Sequence, residues 1–186
     1  MLDDDVTLLV VPGWQDSGPN HWQTLWERGY PFSRRVEQAD WQRPDKDAWV
    51  AALAATVADI DGTVVIAAHS LGAVTVAHWA AGADYAAFRR VKGALLVAPP
   101  DVERADVVAA VPASGFSPLP LLRLPFPAIL VASRSDPFCD FARAGDFAAG
   151  WGAKLVDAGD AGHINPASGH GPWQAGQRLL QTLMLA

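Results

Sequence analysis

Thr63-Val64-Val65-Ile66-Ala67-Ala68-His69-Ser70-Leu71-Gly72 is the stretch on which the fold turns. Residues 63–68 form an unbroken apolar run rich in β-branched side chains, the pattern of a strand buried on both faces. Residues 71–81 are mostly small and apolar, which suits a helix lying close against a sheet. Between them stands Ala68-His69-Ser70-Leu71-Gly72, of the small-x-Ser-x-small form. In such a pentapeptide a strained strand-to-helix turn lifts a serine hydroxyl above the sheet edge. Ala68 takes the place where glycine is usual, and its methyl group still lets strand and helix approach. A serine that merely caps the following helix would occupy the same position.

The alternation continues on both sides. Residues 6–11, 35–39, 91–98, 127–132 and 153–158 read as further strands, with 35–39 the weakest of them. Residues 20–28, 44–60, 138–149 and 173–183 read as helices. Trp49, Leu53, Val57 and Ile60 share one helical face, Pro19 suits a first helical turn, and Gly62 and Gly150 read as stops. Strands alternating with helices predict a mostly parallel six-stranded sheet covered on both faces. The segment 101–126 breaks the rhythm. It holds Pro112, Pro118, Pro120 and Pro125 and only a weak helical stretch at 102–110, and loops of that length are usually functional or mobile.

Composition narrows the function. A chain of 186 residues, 51% hydrophobic and 18% charged, suits one folded domain over residues 1–186 rather than disorder. The net charge of −6 disfavours broad binding to nucleic acid or to an anionic membrane. The single cysteine, Cys139, leaves no intrachain disulfide and no Cys-rich zinc site, and it reads as packing. The start, Met1-Leu2-Asp3-Asp4-Asp5, is an acidic, solvated end without the basic and apolar runs of a signal peptide. No run approaches the ~20 apolar residues of a membrane span. A soluble, cytoplasmic protein is the expectation.

A serine on such a turn needs a base and an orienting acid, in the order Ser, acid, His. Asp136 follows the strand at 127–132 and His163 follows the strand at 153–158, so both sit beyond strand C-termini, as Ser70 does. That edge is where ligands gather on parallel sheets. Taken singly, Asp136 could be a helix cap and His163 a surface loop residue. Two backbone N–H groups would bind a developing oxyanion: that of Leu71, directly after the serine, and that of Trp14 in Pro12-Gly13-Trp14-Gln15. Trp14 and Gln15 are candidate pocket residues. His21 and Trp22 read as braces of that loop, His69 as pointing away from the site, and His78 as packing or surface. His163 and His170 lack metal-ligand spacing, so no metal is expected.

These residues also carry a resemblance. Gly13-Trp14, Ser17, His21-Trp22-Gln23, His69-Ser70-Leu71-Gly72, Ser133-Arg134-Ser135-Asp136-Pro137, Gly162-His163-Ile164-Asn165 and Ser168-Gly169-His170-Gly171-Pro172-Trp173 resemble the small serine hydrolases grouped with retinoblastoma-binding protein nine. The likeness spans nearly the whole chain. It implies a minimal α/β-hydrolase fold without a cap domain, and Ser70, Asp136 and His163 as a triad. It also implies activity on small esters or aminoacyl arylamides.

The expectation is therefore a serine hydrolase that forms an acyl-enzyme on small carboxylic esters or related acyl substrates, with no cofactor. Ester, amide and thioester remain open. The alternative is a non-catalytic interaction module on the same fold. Its best-known recognition peptide, Leu-x-Cys-x-Glu, is missing, since Asp140 and Phe141 follow Cys139, and no protein partner is assigned. With only 101–126 where a lid would be inserted, a shallow, open site and small acyl groups are expected.

Overall fold

Six strands pair side by side, every pair parallel, in the order β2-β1-β3-β4-β5-β6. They are β1 (Val6–Val11), β2 (Ser33–Arg35), β3 (Thr63–His69), β4 (Val91–Val97), β5 (Ala128–Ala132) and β6 (Lys154–Asp157). Between and after them run α1 (Trp22–Gly29), α2 (Lys46–Asp59), α3 (Leu71–Gly82), α4 (Tyr85–Phe88), α5 (Ala105–Ala110), α6 (Phe141–Trp151) and α7 (Gln174–Leu185). The computed structural model describes residues 6–186; the acidic end, Met1 to Asp5, lies outside the described residues. Among the described residues no helix is long and apolar enough to cross a membrane.

Alternation along the central strands feeds two cores. Val64, Ile66 and Ala68 of β3 face Trp49, Leu53, Trp79 and Phe147 from α2, α3 and α6. Val65 and Ala67 face Trp22, Trp26, Trp173 and Leu180 on the α1 and α7 side. Trp26 and Trp173 stack with planes 9° apart, and the Trp26 indole N–H donates to the Pro172 carbonyl. The tail motif thus docks α7 onto α1.

Several elements depart from expectation. β2 lies at Ser33–Arg35, not at 35–39: Leu8, Leu9 and Val10 pair with Ser33, Arg34 and Arg35. An edge strand can be charged because its side chains find polar partners. Arg35 donates to Asp16, Glu27, Thr24 and the Ser17 carbonyl. Pro19 is not in the first turn of α1, whose N-cap is His21. α6 begins at Phe141 because residues 136–138 form a tight turn in which Asp136 Oδ1 accepts from the Phe138 N–H. It ends at Gly152, in the left-handed region, and not at Gly150. Gly150 sits inside the helix because Leu121 packs against it; a Cβ there would lie 2.8 Å from the Leu121 Cβ.

The start of α3 crosses the end of β1 in near backbone contact. A Cβ on Gly72 would lie 2.2 Å from the Val11 carbonyl oxygen and 2.7 Å from that of Pro12. Glycine to alanine in an exposed helix interior gains about 1 kcal/mol. Here the sign reverses: Gly72→Ala should destabilise by about 3 kcal/mol through overpacking. Urea unfolding would measure it, and an unchanged or raised midpoint would contradict the close crossing.

Candidate active site

Ser70 sits between β3 and α3 with φ 57° and ψ −125°, a backbone region that non-glycine residues rarely adopt. Two contacts hold it there. Its N–H donates to the Val97 carbonyl, extending the β3–β4 ladder by one residue. Its carbonyl accepts from the Ala73 N–H. The side chain is left pointing into the space above the strand ends.

The His163 imidazole meets it there. His163 Nε2 lies 2.9 Å from Ser70 Oγ, and His163 Nδ1 lies 3.0 Å from Asp136 Oδ1. The Asp136 side chain is 4% exposed and that of His163 11%. Three residues expected after three different strands are therefore in one hydrogen-bonded line. A carboxylate accepting from Nδ1 leaves Nε2 with a lone pair toward the serine hydroxyl, the arrangement in which imidazole can take up a proton.

Two loops must be in register for that line to form. Ser133 Oγ accepts from the Ala161 N–H at 2.9 Å, and Ser135 Oγ accepts from the Gly162 N–H at 2.9 Å. The Arg134 N–H donates to the Gly159 carbonyl. The Ser-Arg-Ser run before Asp136 thus zips the aspartate loop to the histidine loop. Nothing in the sequence reading assigned these serines that work.

The turn after β1 lies directly beside Ser70. A Cβ on Gly13 would stand 3.1 Å from the Ser70 Cβ and 3.1 Å from the Leu71 nitrogen. Leu71 opens α3, and a first-turn N–H has no acceptor within its own helix. Gln15 and Asp16 follow at φ 66° and 62°, and their N–H groups donate to the Trp41 and Gly13 carbonyls. The Trp14 indole is pinned by a 3.0 Å bond from Nε1 to the Gln42 carbonyl. Trp14 and Gln15 both line the cleft.

His21-Trp22-Gln23 divides its work three ways. Gln23, fully buried, braces the loop: its amide donates to the Val11 and Ala67 carbonyls and accepts from Ser17. Trp22 and His21 reach past it, Trp22 to the Ile164 carbonyl and His21 to His69. The expectation that His21 and Trp22 brace the loop after β1 is corrected accordingly. So is that for His69. Its ring does not turn away but packs beneath the site, its centroid 4.9 Å from that of the His163 ring, with Nε2 bonded to the His163 carbonyl.

The site is a walled cleft of about 540 Å³, not a shallow one. The segment 101–126 supplies a wall through Val102, Val107, Val108, Val111 and Phe116. Phe116, Leu119, Leu124 and Phe126 are buried and anchor the segment to the core. Phe138, whose ring centroid lies 4.6 Å from that of His163, closes the far side. The lining is mostly apolar, with Gln15, Asp16 and Asn165 among its polar residues. Among the described residues no group of three or more His, Cys, Asp or Glu side chains is placed to hold a metal ion. Cys139 is buried, and burial pushes its thiol up to about 12, far from a reactive thiolate.

The serine hydrolase family profile matches residues 8–182. The chain belongs to the serine hydrolase family. Among solved structures it is similar to a Pectobacterium atrosepticum protein described as a YdeN-like hydrolase, at 32% identity and TM-score 0.83, over 99% of this chain and 94% of that one. The ydeN gene product of B. subtilis shares the fold at 15% identity and TM-score 0.73, over 97% of this chain and 99% of that one. So does esterase 2 of Thermogutta terrifontis, at 15% identity and TM-score 0.67, over 97% and 82% of the two chains. No curated protein matches this serine hydrolase in sequence. The α/β-hydrolase sheet expected from the sequence is the one observed.

Two buried histidines of this serine hydrolase make its stability depend on pH. Burial, then the Arg35 and His163 charges, lower His21 to about 3. Burial also holds His69 well below the ordinary histidine value. A lowered value in the folded state means that the unfolded chain binds more protons between it and about 6.5. Stability should therefore be level above about pH 6.5 and fall as pH drops below it, by up to about 1.4 kcal/mol per unit for each histidine. Denaturant titrations from pH 7.5 to 4.5 check this, and His21→Gln should flatten the slope; equal slopes would refute the assignment.

Proposed function

We propose that this serine hydrolase is similar to the retinoblastoma-binding-protein-nine group and cleaves small carboxylic esters or related acyl substrates through an acyl-enzyme at Ser70. The observation that carries the reading is the continuous line from Ser70 Oγ through His163 to Asp136, with bonds of 2.9 and 3.0 Å. In this reading His163 Nε2 takes the Ser70 proton as Oγ attacks the acyl carbon. Asp136 holds the ring with its proton on Nδ1 and stabilises the imidazolium that forms. The Leu71 and Trp14 N–H groups bind the oxyanion as the carbonyl becomes tetrahedral. His163 then delivers its proton to the leaving alcohol or amine, which departs and leaves Ser70 acylated. Water, deprotonated by His163, adds to the same carbonyl; the bond from Ser70 Oγ to the acyl carbon then breaks, His163 returns the proton to Oγ, and the acid is released.

The shape of the cleft sets substrate size. About 540 Å³ lies in the lower half of the usual range for small-molecule sites. The valine wall from α5 takes the apolar part, and short to medium acyl chains fit it better than lipid tails. Hydrolysis of p-nitrophenyl esters should accordingly peak at short or medium chains, with no rate jump at a lipid interface. A peak at or beyond twelve carbons would contradict this size limit.

A fluorophosphonate tests the nucleophile directly. It needs a serine activated by a base and an oxyanion site, and an ordinary capping serine has neither. Folded protein at pH 8 should gain one phosphonyl group on the peptide carrying Ser70, while heat-denatured protein and Ser70→Ala should gain none. Asp136→Asn should keep the fold but lose roughly 10³–10⁴ in kcat, because the ring is then held in the wrong tautomer. Folded protein that does not label would remove the enzyme reading and leave a non-catalytic module.

A further inference from the structure

The loop that carries His163 is strained at the residue after it. Ile164 has φ 50°, a left-handed conformation that a β-branched residue adopts only when its surroundings impose it. Two side-chain N–H groups hold the two successive carbonyls at that point. Trp22 Nε1 donates to the Ile164 carbonyl at 2.9 Å, and His69 Nε2 lies 2.8 Å from the His163 carbonyl. The donors come from distant parts of the chain, Trp22 from α1 and His69 from the last residue of β3.

The protons in this arrangement are determined from both ends. A backbone N–H can only donate, so the 3.1 Å contact from the Gln23 N–H makes His21 Nδ1 an acceptor. Neutral His21 then carries its proton on Nε2. At the other end a carbonyl can only accept, so His69 Nε2 carries the proton facing the His163 carbonyl. His69 Nδ1 is then a lone pair, and it lies 3.3 Å from His21 Nε2. The chain runs one way: Gln23 N–H to His21, His21 to His69, His69 to the backbone of His163. A second proton on either ring would set N–H against N–H and break it.

We infer that His69, oriented by His21, is a positioning residue that clamps the strained His163–Ile164 backbone so that the imidazole of His163 stays within reach of Ser70 and Asp136. The role rests on the reading of His163 as the base. It explains why polar rings sit directly beneath the site where apolar packing would otherwise serve. Burial above all keeps the two rings neutral, and the charged and titratable groups that face them add to it. They are His163 and His170, which follow β6, and Arg35 on β2, together with the two histidines themselves. Each positive charge there disfavours another.

The test compares His69→Leu and His69→Gln with the native protein on a short-chain p-nitrophenyl ester. The Gln amide can still donate to the His163 carbonyl; Leu fills the space without a donor. His69→Leu should lower kcat about 30- to 100-fold, the effect of misplacing a catalytic group by ~1 Å, with KM within about twofold. His69→Gln should recover kcat to within about fivefold of native. A packing role alone predicts that Leu does as well as Gln. ¹⁵N spectra of the native protein should show His21 and His69 as Nε2–H tautomers that do not titrate between about pH 5 and 8. An Nδ1–H tautomer at either ring, or titration there, overturns the clamp even if His69→Leu does not fold. Full kcat in both variants overturns it while leaving the hydrolase reading intact. A native protein that is inert to esters and fluorophosphonate overturns the hydrolase reading instead, and the spectra alone then judge the clamp.

Discussion

Gly13 and Gly72 allow the backbones of the β1 turn and the α3 start to meet where any other side chain would intervene, with the Val11 carbonyl 2.2 Å from where a Cβ on Gly72 would be. That approach aims the first N–H of α3 at the same space as the Trp14 turn. Beside it Ser70 takes its positive φ of 57°, where the chain turns from β3 into α3 within one residue. It also brings His69 under the histidine loop. The strain at Ser70 is held by two backbone bonds and by the buried strands β3 and β4 beside it, a rigid frame for a residue of about 1–3 kcal/mol conformational cost.

Around this crossing the protein buries an unusual run of polar groups. His21, Gln23, His69 and Ser133 are all nearly or fully buried. Each is hydrogen-bonded to backbone, which is what makes such burial tolerable. Their targets are backbone groups of the first turn of α1, of β1 and β3, and of the loop that carries His163. Satisfying them with side chains converts loose loop ends into fixed ones. Ser133 and Ser135 do this for the loops of Asp136 and His163, and His69 and Trp22 do it for the backbone at His163 and Ile164.

The segment 101–126 serves a different purpose. Its outer charges pair with α6, as in Arg143 with Glu103, and Arg104 donates to the Pro137 carbonyl. Exposed pairs of this kind contribute little stability. The buried Phe116, Leu119, Leu124 and Phe126 do the anchoring, so the valines of α5 present a fixed apolar wall without a separate cap.

Much of this was legible from residue pattern alone. Apolar runs and β-branching marked five of the six strands closely, and the alternation with helices marked the sheet as parallel. The small-x-Ser-x-small turn located Ser70, and Asp136 and His163 stood after the expected strands. Such features are local, because a strand or turn is encoded within a few residues. β2 escaped because an edge strand with charged side chains has no apolar period, and its place depends on which residues pair with β1. Gly150 misled because a glycine can serve close packing as well as termination, and Leu121 decides which. The link from His69 to His21 spans 48 positions and that from Trp22 to Ile164 spans 142. No periodicity records a contact of that separation. The sequence alone determined which chemistry the strand ends could hold; the tertiary structure decided which polar side chains hold those ends still, because hydrogen bonds between distant segments exist only once the sheet has brought them together.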